Sequence, residues 1–256
     1  MKRAAGWPFI VALAVLAFAM IWPTAALLLR ISPMTVGQVF TSPGIRDAAV
    51  VSLTASLAAV VIATVLGVPA AYELARWRDG PRSVALFVLA LPLAFPPVAS
   101  GIILLNIIGV HAPLGAWLSA RGIYLIDSLG GVTLAEFFVS GSFVVITACA
   151  AFRALDPVYE EAASTLGASR AQSFWRIALP LAMPNILAGT LLAWLRAIGE
   201  YGATSIVAYH PTSLPIALYV TLSANGLDAA LALSYGFVVL AALIIAVQWA
   251  VRRHVV

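Results

Sequence analysis

Few side chains in this sequence can do chemistry, and most of those lie inside apolar stretches. Arg196 and Glu200 stand four residues apart, which on a helix puts them on one face within reach of each other. An intramembrane charge costs about 2.5–3.5 kcal/mol on insertion scales, so such a pair either fixes helix packing or marks a path for a charged substrate. Both readings stand at this stage, because a helix beginning near Gly189 would also let Arg196 snorkel to the membrane surface. Gly199 and Gly202 beside the pair permit close approach of a second helix. Glu136 and Asn106 lie in other apolar stretches, where an interfacial position or hydrogen bonding between helices is a simpler role for each than touching substrate. His111 and His210 have no third partner at metal-ligand spacing. Cys149 is the single cysteine, so no intrachain disulfide is expected.

Enzymatic chemistry finds little footing. A P-loop needs a lysine after its glycines to reach the phosphates, and the one lysine is Lys2. Neither HExxH nor GxSxG occurs, which removes the zinc-protease and hydrolase-elbow readings. An intramembrane serine protease would have to use Gly167-Ala168-Ser169 with His254 as base, and Ser169 is better explained as a helix cap. A passive channel would need a polar or charged ring along its spans. No catalytic residue, no metal site and no nucleic-acid partner is expected: the net charge of +4 comes from arginines spread thinly between apolar runs, with no basic patch.

The elements that must position these residues are written in the hydropathy. Of 256 residues 63% are hydrophobic and 9% charged, against roughly 25% charged in a soluble domain. Six stretches meet the length of about 20 apolar residues that spans a bilayer: 8–29, 48–72, 84–110, 132–151, 184–208 and 229–251. The fold class expected is an all-α polytopic membrane protein forming one domain over 1–256. The apolar run after Met1-Lys2-Arg3 lacks a convincing cleavage site and reads as a retained first helix. Pro69, Pro92, Pro96 and Pro97 predict kinks or interruptions in the second and third spans. Orientation follows from the basic residues, which concentrate in cytoplasmic loops. Lys2, Arg3, Arg76, Arg78, Arg82, Arg153, Arg170, Arg176, Arg252 and Arg253 fall on one side, and Arg30, Arg46 and Arg121 on the other. Both termini and the loop over about 152–183 are therefore expected in the cytoplasm of a multi-pass protein of the cell (inner) membrane.

That loop carries explicit helix punctuation. Asp156 before Pro157 is an N-cap with proline at the first helical position, and Gly167 supplies a left-handed stop after Leu166. Ser169 and Gln172 form a capping box for a second short helix carrying Phe174, Trp175 and Ile177. A helix-turn-helix outside the membrane is predicted. Ala162 and Ala163, next to Glu160 and Glu161, would let another protein approach closely.

Glu161-Ala162-Ala163, then Gly167 after three residues, Ile177 after nine more and Leu179-Pro180 after one resemble the EAA signature of binding-protein-dependent ABC importer permeases. Leu91 to Pro97, Gly101, Leu104-Leu105 and the run from Ala188 to Thr204 are similar to the molybdate-type members, with a Tyr209–Pro215 segment closer to tungstate-type relatives. Sulfate, ferric-ion and polyamine permeases carry related versions. The resemblance implies a type I permease fold, a homodimer enclosing the path, and two separate ATPase subunits holding ATP and Mg. It also implies an extracytoplasmic binding protein that delivers a tetrahedral oxyanion. No cofactor is expected on this chain. The loop, with Glu160, Glu161, Ala162, Ala163, Gly167, Ile177, Leu179 and Pro180, would be the element docking on the ATPase.

Overall fold

The computed structural model describes residues 6–30 and 32–255. Lys2 and Arg3, and the side chains of Arg252, Arg253 and His254, lie outside the described residues. The chain runs α1 (Trp7–Arg30), α2 (Pro33–Thr41), α3 (Pro43–Ala75), α4 (Asp79–Ala94), α5 (Pro97–Ile108), α6 (Pro113–Ser119) and α7 (Leu129–Arg153). It continues through α8 (Val158–Thr165), α9 (Arg170–Ser173), a π-helical turn (Phe174–Ala178), α10 (Leu179–Ile198), α11 (Thr204–Val207), α12 (Leu214–Asn225) and α13 (Leu227–Val255). No strand occurs among the described residues.

Five helical stretches are long and apolar enough to cross a membrane: Trp7–Arg30, Pro43–Ala75, Leu129–Arg153, Arg170–Ile198 and Leu227–Val251. The pair α4 and α5, bent by 106°, passes the same test when taken together and makes six if it is counted as one span. The break follows from two prolines in succession. Pro96 and Pro97 supply no N–H, and Phe95, which precedes a proline, is pushed out of the helical region to φ −78°, ψ 138°. Pro69 and Pro92 sit inside α3 and α4 without ending them.

The centre of the molecule is α7, packed between α3 and α10. Their facing surfaces are small: Ala55, Ser56, Ala59, Ala63, Gly67 and Ala71 on α3 and Ala135, Ser140, Gly141 and Ala148 on α7 are buried. Small residues bring helix backbones close where lipid offers no hydrophobic drive to association. A Cβ on Gly67 would lie 3.0 Å from Val145 Cγ2, and at Gly189 the Thr147 side chain leaves no space for one. Polar side chains tie the helices further. Ser142 donates to the Leu89 carbonyl at 2.6 Å, Trp194 Nε1 to Ser56 Oγ at 3.0 Å, and Gln248 Nε2 to Thr190 Oγ1 at 3.0 Å.

The outward surface is apolar. Helix α1 buries no residue, and Phe87, Val65, Ile102, Leu192 and Val239 stand exposed on other spans. The accessible area is 15057 Å2, where a compact soluble monomer of this mass would show roughly 10,800 Å2. Such a surface is at home in lipid and against other subunits. The protein is a multi-pass membrane protein.

The fifth span departs from the predicted 184–208. The capping box at Ser169 opens no separate short helix; it starts the helix that runs to Ile198. Pro180, which lacks an N–H and crowds the carbonyl four residues back, is accommodated by the π turn just before it, in which the Leu179 N–H reaches the Phe174 carbonyl. The loop therefore holds one free-standing helix, α8, and the predicted helix-turn-helix reduces to α8 and the beginning of a span.

Candidate functional site

Helix α8 stands at the end of the bundle where α3 and α7 finish and α10 begins. Asp156 Oδ1 accepts the Val158 N–H at 3.0 Å and so caps α8. At the other end Gly167 has φ +82°, and the bonds Ala168 N–H to Ala163 O and Gly167 N–H to Ser164 O, both 3.0 Å, form a Schellman stop. The Ser169–Gln172 capping box is present in both directions, at 2.8 and 3.3 Å. The two adjacent glutamates part company. Glu160 turns inward and pairs with Arg76 at the end of α3, whereas Glu161 is exposed. Of the two alanines, Ala162 faces outward and Ala163 is buried. The free face of the loop carries Val158, Tyr159, Leu166 at 88% exposure and Trp175. Ile177 and Leu179 are half-buried and Pro180 is exposed.

Beneath the loop lies a cluster that the sequence did not bring forward. Tyr72 packs edge-on to Phe152 and Phe174, with ring centroids 5.2 and 4.8 Å apart. The Arg76 guanidinium lies over the Tyr72 ring at 3.2 Å from its centroid. Asp79, at the start of α4, pairs with Arg82 and, at 3.2 Å, with Arg153 at the end of α7. Tyr72 and Arg76 at i and i+4 give a local hint of stacking. Glu160 lies 84 positions away from Arg76, and nothing local announces that pair.

The second site is the end of α10. Arg196 Nη1 and Glu200 Oε2 are 2.6 Å apart, and the Glu200 side chain is 1% exposed against 31% for Arg196. Glu200 Oε1 accepts the Ala203 N–H at 2.7 Å, and Thr204 Oγ1 donates to the Glu200 carbonyl at 2.9 Å. Glu200 thus holds the irregular turn that separates α10 from α11. The neighbouring glycines differ. A Cβ on Gly202 would fall 2.6 Å from Pro97 Cβ and 2.9 Å from Val98 N, while one on Gly199 meets nothing nearer than the Leu195 carbonyl at 3.7 Å. Gly202 lets the turn lie on the start of α5, and Gly101 returns the contact, with a Cβ there 2.9 Å from the Ala203 carbonyl. Glu136 is buried on α7, with its Oε2 unpartnered. Asn106 and His111 border an open cavity of about 650 Å3 at the far end of α5. His210 is held by its backbone N–H on Asp127 Oδ1 at 3.2 Å.

Both sites, and both halves of the bent pair, fall within residues 63–253, which match the family described as binding-protein-dependent transport system inner membrane component. The chain belongs to this family. As a permease of that family it is 42% identical to the probable molybdenum ABC transporter permease protein of Haloferax volcanii, over 81% of this chain and 76% of that one. It is 34% identical to the molybdate/tungstate transport system permease protein of Methanocaldococcus jannaschii, over 74% of each. Against a sulfate transport system permease protein of Escherichia coli it is 34% identical, over 73% of this chain and 68% of the other. The fold matches a chain of a bacterial ABC transporter involved in import of the acidic polysaccharide alginate, with TM-score 0.72, 17% identity, and 97% and 94% of the two chains covered. The EAA resemblance and the type I permease fold expected from it are therefore correct for this permease.

Proposed function

We propose that this chain is the membrane-spanning subunit of an ATP-driven importer of tetrahedral oxyanions, with molybdate or tungstate as substrate and sulfate as the second choice. Family membership over the span-and-loop region carries the reading, and the 42% identity to a molybdenum permease sets the order of substrates. Molybdate and tungstate are dianions of nearly the same size and shape, so a permease has little to tell them apart by. A separate binding protein on the outer side delivers the anion, in keeping with the family's description.

The partner on the inner side is a pair of ATPase subunits, which bind ATP and Mg. The exposed apolar side chains of Val158, Tyr159, Leu166 and Trp175 suit such docking. With this loop in the cytoplasm, both termini lie there too, a reading that the distribution of arginines between the loops supports. A second copy of the chain completes the path and would cover part of the exposed apolar surface.

The test is uptake into vesicles holding this subunit, its ATPase and its binding protein. Labelled molybdate or tungstate should accumulate only with ATP. Equal uptake without ATP would identify a channel, and uptake of ferric ion or polyamine alone would overturn the anion assignment.

A further inference from the structure

We propose that the Arg76–Glu160 ion pair is a strut that carries the movement of α8 into the membrane helices, with Arg76, Glu160 and Tyr72 as positioning residues for coupling. The inference rests on the reading of this chain as an ATP-driven permease.

Helix α8 has eight residues and packs against little besides α9 and the π turn that follow it in sequence. Between its beginning and the bundle lies a cavity of about 250 Å3, lined by Ala75, Arg82, Phe152, Leu155 and Asp156 among others, with Arg76 and Glu160 also on its wall. Packing therefore does not fasten this half of the loop to the body. The ion pair does, with Arg76 Nη2 donating to both carboxylate oxygens of Glu160.

The other end of the strut is stiff. Arg76 Nη1 donates to the Tyr72 carbonyl at 2.6 Å, and its guanidinium is stacked on the Tyr72 ring. A guanidinium with Nη2 on the carboxylate, Nη1 on a backbone carbonyl and its plane over an aromatic face has little freedom left. Tyr72 in turn touches Phe152 of α7 and Phe174 of the π turn that leads into α10. One arginine thus links α8 to the point where all three central helices meet. Both strut side chains keep about a quarter of their surface exposed, so the pair stands at the rim of the cavity and not in the core.

The test measures ATP hydrolysed per anion imported in vesicles holding the full complex. Arg76→Gln and Glu160→Gln should each raise that ratio by roughly threefold or more, within the range that substitutions along a coupling route produce. Hydrolysis should persist and the ATPase should still co-purify. The exchange Arg76→Glu with Glu160→Arg restores the charge pair but not the stacking on Tyr72 or the bond to its carbonyl, so it should bring the ratio below that of either single variant without returning it to the original. Arg78→Gln, at an exposed position nearby, should leave the ratio unchanged. A ratio unaltered in both single variants overturns the strut. So does a fall in uptake and hydrolysis in proportion to lost protein, unrescued by the exchange, which would make the pair merely structural. An unaltered complex that imports nothing with ATP overturns the transport reading itself, and is distinguished by failing before any substitution is made.

Discussion

Replacing Arg196 by Met and Glu200 by Gln, singly and together, separates the two tasks of the Glu200 carboxylate. Oε2 faces the Arg196 guanidinium at 2.6 Å and Oε1 accepts the Ala203 N–H at 2.7 Å. Arg196→Met keeps an apolar stem and removes the charge, leaving a carboxylate that is 1% exposed without its counter-ion. Breaking a fully buried pair in this way costs ~3–5 kcal/mol. The Arg196 side chain is 31% exposed, so solvent screens part of the attraction, and a cost of about 2–3 kcal/mol is expected. Glu200→Gln retains an oxygen for the Ala203 N–H and leaves behind an arginine that water can reach, for a cost of about 1 kcal/mol. The double variant has neither charge and should also sit about 1 kcal/mol below the original, so the cycle yields a coupling of about 2–3 kcal/mol, as expected for residues in contact. Equilibrium unfolding in mixed micelles reads these differences. Additivity to within about 0.5 kcal/mol would refute the pair. Glu200→Ala supplies a second check, since it strands the buried Ala203 N–H and should be worse than Glu200→Gln by ~1 kcal/mol or more.

Three further outcomes are expected. Gly167→Val places a β-branched residue at φ +82°, at a cost of ~1–2 kcal/mol; it should displace α8 and raise ATP consumption per anion while leaving the spans inserted, as limited proteolysis would report. Gly189→Ala drives a methyl into the Thr147 side chain and should destabilise by ~1–3 kcal/mol, with Thr147→Ala recovering much of the loss in the same unfolding assay. In a Cys149→Ala background, Leu166→Cys should form a disulfide with a cysteine placed in the ATPase groove, because a disulfide requires Cα atoms within about 7 Å; Ala163→Cys should not, because Ala163 faces the bundle at 8% exposure.

The features that one stretch of chain decides were legible in the sequence. Two consecutive prolines are enough to break a helix wherever it lies, and the stop at Gly167 and the caps at Asp156 and Ser169 need only their neighbours. The limits of the fifth span were misjudged because Pro180 and Pro184 suggest a beginning near 184, whereas a π turn carries the helix through Pro180. Helix α12 was missed because its 12 residues are apolar but too few to span. Its start is fixed by Ser52 Oγ accepting the Leu214 N–H at 2.8 Å across 162 positions of sequence. Separation in sequence likewise hid the partner of Arg76, 84 positions away at Glu160, and Asp127, whose Oδ1 accepts the Tyr209 and His210 N–H groups at 2.9 and 3.2 Å. A charged residue at a span end reads as an orientation signal; which carboxylate it meets depends on a fold the charge pattern does not encode.

The two attachments of α8 constrain what its movement can do. Arg76 caps the end of α3 and the π turn belongs to the helix that continues as α10, and both helices pack onto α7 through surfaces rich in alanine and glycine. Such surfaces leave backbones too close to slide without clashes: Gly67 and Gly189 already sit where a single added methyl would meet a neighbour. Packed interfaces of this kind switch between discrete arrangements and do not deform continuously. On this reading a push on α8 turns α3, α7 and α10 as one body. Helix α1, with no buried residue, is the part least held by that body, and the bend between α4 and α5 is held to it at the start of α5. The turn held by Glu200 rests on the start of α5 through Gly202, so rotation of the central body would reach that bend directly, joining the two sites through the helix that lies between them.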